Sequence, residues 1–226
     1  MELLRQTYWL LRKDALVESR RRESLVAMLF LGVLFLFVFH FAFELSPARA
    51  REMASGLLWL TFIFSGTLGL NHLFQPERES HCLEALLLSP MDRGALYLSK
   101  VCFNFFLMAF IEAVVFPLFG VLFNVDLWSL LPSLWAVSLL GTLGFCAMGT
   151  TFSALTLQAR AREMLLPLLL LPLLIPVILG TIRGMEVLFQ AGPSQDLLLW
   201  LRLLIGFDVI FLTAGFLVFG WILEAA

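Results

Sequence analysis

Two carboxyl groups, one charged segment and three prolines carry most of the chemistry this sequence offers. Glu112 and Asp208 each fall near the middle of a long apolar run, 101–123 and 197–223. An exposed carboxylate at mid-bilayer costs about 2.5–3.5 kcal/mol on insertion scales. Such a group serves either as a polar lining or coupling element at a helix interface, or as a protonated carboxyl hydrogen-bonded to a neighbouring helix. The residue types leave both uses open. Segment 75–100 reads QPERESHCLEALLLSPMDRGALYLSK. It opens beside Pro76, places Glu77, Arg78 and Glu79 in its first turns, adds Glu84, and closes at Pro90 before Arg93. Acids at a helix start and a proline beyond its end are boundary signals. Leu83, Leu86 and Leu87 form one apolar stripe. A short amphipathic helix of this kind can put leucines into a partner's apolar groove while its charges set the register at the rim. Periodicity alone describes equally well a connector lying on a membrane surface. Pro167, Pro172 and Pro176 each remove a backbone donor from the run 164–182. They are hinge candidates, either for a moving bend or for a static kink.

Other chemistries lack their signatures. Cys82, Cys102 and Cys146 are too few and too scattered for a disulfide framework or a metal site. No G-x-x-x-x-G-K-[ST], H-E-x-x-H, C-x-x-C-H or G-x-S-x-G occurs. The expectation is a chain with no catalytic residues, no metal ligands and no nucleotide site of its own.

These residues must be positioned by membrane helices. The chain has 226 residues, of which 61% are hydrophobic and 14% charged, with mean hydropathy +0.94. A soluble domain is nearer 45–50% apolar and about 25% charged. Soluble enzyme, nucleic-acid binder and disordered chain are therefore excluded. Apolar runs at 25–43, 53–74, 101–123, 130–157, 164–182 and 197–223 are each long enough to cross about 30 Å of hydrocarbon. Leu and Phe dominate them, and the two-residue alternation of a membrane barrel is absent. A basic start followed by an apolar run and Ala48-Arg49-Ala50 imitates a cleaved signal peptide. The first run, however, exceeds the usual 7–15 residues of a signal core, so it reads as a retained span.

Eleven of the Lys and Arg residues lie before the first span, between spans two and three, and between spans four and five; four lie on the other side. The positive-inside rule then puts both termini in the cytoplasm. In residues 2–22, Leu4, Tyr8, Leu11 and Ala15 recur at helical spacing, which predicts a helix lying on the membrane surface. The expected fold is an all-α membrane protein forming a single domain over 1–226. Within it, 1–24 is an interfacial helix and 25–223 a six-span bundle, with a short cytoplasmic helix in segment 75–100. Gly141, Gly144 and Gly149 predict close helix contacts, either within the chain or across a dimer.

The pattern E-R-E-x-x-x-L-E-x-L-x-x-S-P-x-x-R-x-x-x-x-x-x-K, carried by Glu77, Arg78, Glu79, Leu83, Glu84, Leu86, Ser89, Pro90, Arg93 and Lys100, resembles the coupling segment of type-2 ABC exporter permeases. His81 and Cys82 depart from that family's common Gly followed by a small residue. RRRESLVAM at 20–28, LNHLF at 70–74, the third span from Ile111-Glu112-Ala113 to Pro117-Leu118-Phe119, ARAREMLLP at 159–167 with Leu171-Pro172, and FDVIFL at 207–212 resemble the B subunit of the cytochrome c maturation haem exporters. The resemblance covers nearly the whole chain. It implies a bacterial inner-membrane subunit, a separate cytoplasmic ABC ATPase that hydrolyses ATP, and either two copies of this chain per complex or one copy paired with a related subunit. It also implies further cytochrome c maturation membrane subunits and a haem chaperone. Haem is the implied substrate, either exported itself or released on its chaperone. A type-2 permease for a drug, lipid or polysaccharide and a non-transporting scaffold remain as alternatives. His40, His72 and His81 read as packed or interfacial residues rather than axial ligands, so no haem is expected to be held by this chain alone.

Reporter fusions should place residues 44–52, 124–129 and 183–196 outside and residues 75–100 and 158–163 inside. A cytoplasmic reading at 183–196 would defeat the six-span arrangement.

Overall fold

The computed structural model describes residues 2–43, 46–79, 91–157, 159, 161–192 and 194–225. Among them the secondary structure is helical, with no strand: α1 (Glu2–Arg21), α2 (Glu23–Phe43), α3 (Pro47–His72), α4 (Gln75–Glu79), α5 (Arg93–Leu122), α6 (Leu131–Leu155), α7 (Arg162–Ala191) and α8 (Gln195–Ala225). Six of these stretches are long and apolar enough to cross a membrane. The chain is a multi-pass all-α membrane protein.

Several helices outrun their apolar cores. Ser46 precedes α3 with extended backbone and Pro47 takes its first turn, where a missing N–H costs nothing. Residues 47–52, expected as outer loop, are therefore helical. At the start of α5 the Asp92 side chain accepts from the Gly94 amide at 2.8 Å, so this helix begins eight residues before the apolar run expected to open at 101. Likewise α7 continues to Ala191. Met185 and Leu188 are buried, and Arg183 pairs with Glu186 at 2.7 Å, so most of 183–196 is helix rather than loop.

α3 and α6 form the middle of the bundle. α6 packs on α5, α7 and α8, and α3 on α2, α5 and α7. The outer helices turn Phe30, Phe41, Phe106, Leu168, Leu199 and Ile210 outward, as lipid-facing positions require. In lipid, apolar side chains gain little by leaving hydrocarbon, so close backbone approach and interhelical hydrogen bonds hold the helices together. Ser65 Oγ donates to Met28 O at 2.7 Å, Ser153 Oγ to Leu70 O at 2.8 Å and Tyr97 OH to Ala147 O at 3.1 Å. The glycines of α6 make the closest approaches. Gly141 lies against Trp59 and Thr181, Gly144 against Asp208 and Val177, and Gly149 against Leu70. Their neighbours belong to α3, α7 and α8 of the same chain, so the contacts are intrachain and the dimer alternative falls away.

Gly149→Leu would drive a side chain into Leu70 and should destabilise the bundle by about 1–3 kcal/mol. Gly206→Leu, where a Cβ meets nothing within 4 Å, should cost little. Thermal unfolding followed by size-exclusion chromatography distinguishes the two.

Candidate functional site

α1 has two faces. Leu4, Tyr8 and Ala15 of the sequence-predicted stripe are exposed and Leu11 is half-buried, as suits a lipid surface. The neighbouring row, Leu3, Thr7, Leu10, Asp14 and Val17, turns toward the bundle, with Asp14 the buried residue. There α1 packs along α5. An aspartate buried on the inner face of a surface helix needs a counter-charge.

That charge is Lys100, on α5. Its ammonium donates to Glu77 Oε1 at 2.8 Å and to the carbonyl of Leu73 at 3.1 Å, and lies 3.1 Å from Asp14 Oδ2. It also stands 5.2 Å from the centre of the Phe74 ring, a cation–π distance. Leu73 is the C-cap of α3, so the cation sits at the negative end of that helix dipole. Lys13 completes the cluster, donating to Glu77 and lying 3.0 Å from Asp14 Oδ1. Two cations and two carboxylates balance, and Asp14, Glu77 and Lys100 are 4%, 2% and 1% exposed. The cluster ties α1, the end of α3, α4 and the start of α5 at one point. Burial works against the Lys13 ammonium, but Asp14 and Glu77 outweigh it and hold its pKa above the ordinary lysine value. At the rim of the same region the Asp92 amide donates to Gln6 Oε1 at 3.1 Å.

Glu77 therefore turns inward rather than standing at an outer rim. Arg78 is exposed, and Glu79 is the last residue of α4. Arg93 also points into the protein, donating to the Gly220 carbonyl of α8 at 3.3 Å. Leu83, Glu84, Leu86 and Pro90 lie outside the described residues, as does His81.

The intramembrane acids sit on two different faces of α6. Glu112 is fully buried and accepts from the Thr142 hydroxyl across the α5–α6 contact; its other oxygen has no partner among the described residues. Asp208 is 3% exposed, lies over Gly144, and neither of its oxygens has a hydrogen-bond partner among the described residues. Asn104 donates to the Cys146 sulfur at 3.4 Å across the α5–α6 contact that holds Glu112. Pro167, Pro172 and Pro176 all fall within one unbroken helix, whose buried row is Leu166, Leu170, Leu174 and Val177. Pro172 is exposed and the other two are half-buried. His72 contacts its own helix through the Leu68 carbonyl, and His40 packs edge-on against Phe123. Among the described residues no group of His, Cys, Asp and Glu could hold a metal ion.

Sequence reading missed Lys13 and Asp14. The signal was present: Asp14 continues the row 3, 7, 10, 14, 17, which flanks the apolar stripe about 100° round the helix.

A six-span helical bundle, with a surface helix ion-paired to the connection between spans two and three, defines a class of multi-pass membrane protein. Within that class the chain belongs to the CcmB protein family, whose family model matches residues 5–224. It is 31% identical over 159 residues to heme exporter protein B of Rhodobacter capsulatus, covering 69% of each chain. It is 26% identical over 186 residues to heme exporter protein B of Haemophilus influenzae, covering 81% of each.

Lys100→Met would leave two buried carboxylates facing Lys13 alone, at a cost of about 3–5 kcal/mol. Hydrogen exchange across residues 2–21 should rise sharply while α5 to α8 stay protected; unchanged protection would show that the cluster does not hold α1. Lys13 has a raised pKa, so its contribution is complete below 10.5 and is lost only as pH climbs through the raised value. Wild-type α1 should accordingly keep the same protection from about pH 6 to about pH 9.

Proposed function

We propose that this chain is the membrane permease subunit of an ABC complex that handles haem in c-type cytochrome biogenesis. The observation that carries the reading is the family match over residues 5–224, together with relatives named heme exporter protein B. The chain provides the membrane path and the coupling surface, and a separate cytoplasmic ATPase binds and hydrolyses ATP. Two copies stand side by side in the complex, since one chain carries one coupling segment and hydrolysis in this class needs two ATPase chains. Other cytochrome c maturation membrane subunits and the haem chaperone complete it. The complex resides in the bacterial inner membrane with both termini of this chain cytoplasmic.

The ionic cluster supports a mechanical role for segment 75–100. Motion imposed on this connection by an ATPase would reach α1, α3 and α5 together, because Glu77 and Lys100 are buried in contact. Leu83 and Leu86 supply the apolar centre of the ATPase contact. Arg78, Glu79 and Glu84 set its rim, while Glu77 and Arg93 brace it from within. Pro90 ends the segment. Glu112 and Asp208 act in the bundle interior, and Pro167, Pro172 and Pro176 let α7 flex.

Replacing Leu83 and Leu86 together with Asp should release the ATPase from detergent-solubilised membranes and abolish cytochrome c maturation at equal permease expression. Glu112→Gln should spare ATPase capture, since it lies about 15 Å deeper, half the hydrocarbon thickness. Retention of both ATPase and maturation by the double variant would sink the coupling role. An intact complex that matures cytochromes without moving haem across proteoliposomes would shift the function from export to release of the loaded chaperone.

A further inference from the structure

A cleft of about 510 Å³ opens between α1, the elbow after it, and α5. Its apolar walls are Leu11 and Ala15 of α1, Leu25 of α2, and Phe103, Phe106 and Phe110, which recur at helical spacing along α5. Phe106 is 62% exposed and Phe110 49% exposed, so the cleft faces the lipid side of the bundle. Its polar end is the elbow itself, formed by Glu18, Ser19 and Arg22.

Arg22 occupies the position after a helix where glycine is the usual residue, with φ of +56°. A residue with a Cβ is strained in the left-handed region, and such strain tends to mark positions whose side chain has work to do. The backbone there needs no arginine. The Arg22 Nε donates to Ser19 O at 3.3 Å, and the terminal guanidinium nitrogens have no partner among the described residues. Glu18 shares the cleft, but its Oε1 accepts from the Leu25 amide at 2.8 Å and so serves as a cap for α2. Among the residues lining the cleft Arg22 is the cation and Glu18 the acid, and one Glu18 oxygen is already engaged by the Leu25 amide.

We infer that this cleft is a binding site for one membrane phospholipid with an anionic headgroup. Its phosphate pairs with the Arg22 guanidinium, and an acyl chain lies along Phe103, Phe106 and Phe110. The two ends of the cleft match the two halves of such a molecule: a mouth that offers the Arg22 guanidinium at the level of a surface helix, and an apolar trough open to hydrocarbon. The lipid would fill the wedge between α1 and α5, one turn along α5 from the ionic cluster. This site stands apart from the cargo the complex handles and does not depend on it.

The test uses the full-length chain in its detergent-extracted native complex. Phosphatidylglycerol and phosphatidylcholine of matched acyl chains are titrated, and bound lipid is counted by native mass spectrometry. The wild type should hold one phosphatidylglycerol per chain about fivefold more tightly than phosphatidylcholine. Arg22→Gly is the informative variant, because glycine accepts the +56° backbone without strain. It should assemble and melt at or above the wild-type temperature yet lose the headgroup preference, as should Arg22→Gln. Ala15→Phe should fill the trough and expel both lipids. Equal retention of the two lipids by the wild type would overturn the assignment. So would a preference that survives both Arg22 variants, or one-for-one displacement of phosphatidylglycerol by haemin, which would make the cleft a porphyrin site.

Discussion

The buried ammonium of Lys100 is the constraint on which one whole end of this molecule depends. An ammonium carries three N–H donors, and three oxygens surround it: the carbonyl that ends α3, the carboxylate of Glu77 and the carboxylate of Asp14. They come from two stretches of chain, one holding Leu73 and Glu77 and the other Asp14, each far from Lys100 in sequence. No arrangement that separates them keeps the charge satisfied, and an unpaired buried charge costs several kcal/mol. The start of α5, the exit from α3 and the inner face of α1 are thus fixed relative to one another. The early start of α5 follows from the same need, since Lys100 must stand on helix to reach both carboxylates. Buried ion pairs of this kind add little net stability compared with well-packed apolar groups. Their effect here is geometric, joining a surface helix to the connection after span two.

Deeper in the bundle a different rule governs. Lipid chains are as apolar as leucine, so the helices gain from fit and from hydrogen bonds rather than from escaping water. α6 meets this with Gly141, Gly144 and Gly149, which bring Trp59, Asp208 and Leu70 against its backbone. Glu112 and Asp208 lie in contrasting settings around that helix. Glu112 is engaged by Thr142, the interhelical hydrogen bond that the packing alternative requires. Asp208 is 3% exposed and lies against Gly144, and its oxygens have no hydrogen-bond partner among the described residues. A packing hydrogen bond therefore accounts for one acid and not for the other.

α1 serves both regimes. Its outer face carries Tyr8, Trp9 and Leu16, all more than half exposed, the amphipathic residues of a membrane interface. Its inner face carries Asp14. Between the two, the Arg22 elbow turns the chain into the first span within a single residue. A helix held on one side by ion pairs and on the other by lipid is sensitive to both the connection after span two and the surrounding leaflet.

The sequence alone determined the class, the number of spans and their approximate cores. Each apolar run must be about 20 residues long to cross hydrocarbon, and no soluble fold can hide so many. It also marked α1 as amphipathic, and placed Glu112 and Asp208 inside the bundle, because charge in lipid must face protein. The tertiary structure decided which partner each polar group took. Glu77 reads as one more acid at a helix start; only the approach of α5 and α1 brings Lys100 and Lys13 to it and turns it inward. Arg93 reads as a rim charge until α8 presents the Gly220 carbonyl. The α6 glycines announce close contact without naming the neighbour, because a missing side chain is complementary to any helix that can reach it. Helix ends were the least legible feature, since caps such as Asp92 and buried residues such as Met185 and Leu188 extend helices beyond the apolar run that hydropathy detects. Spans follow from one-dimensional composition against the thickness of a bilayer, whereas pairings are settled by three-dimensional proximity and the cost of leaving a buried charge alone.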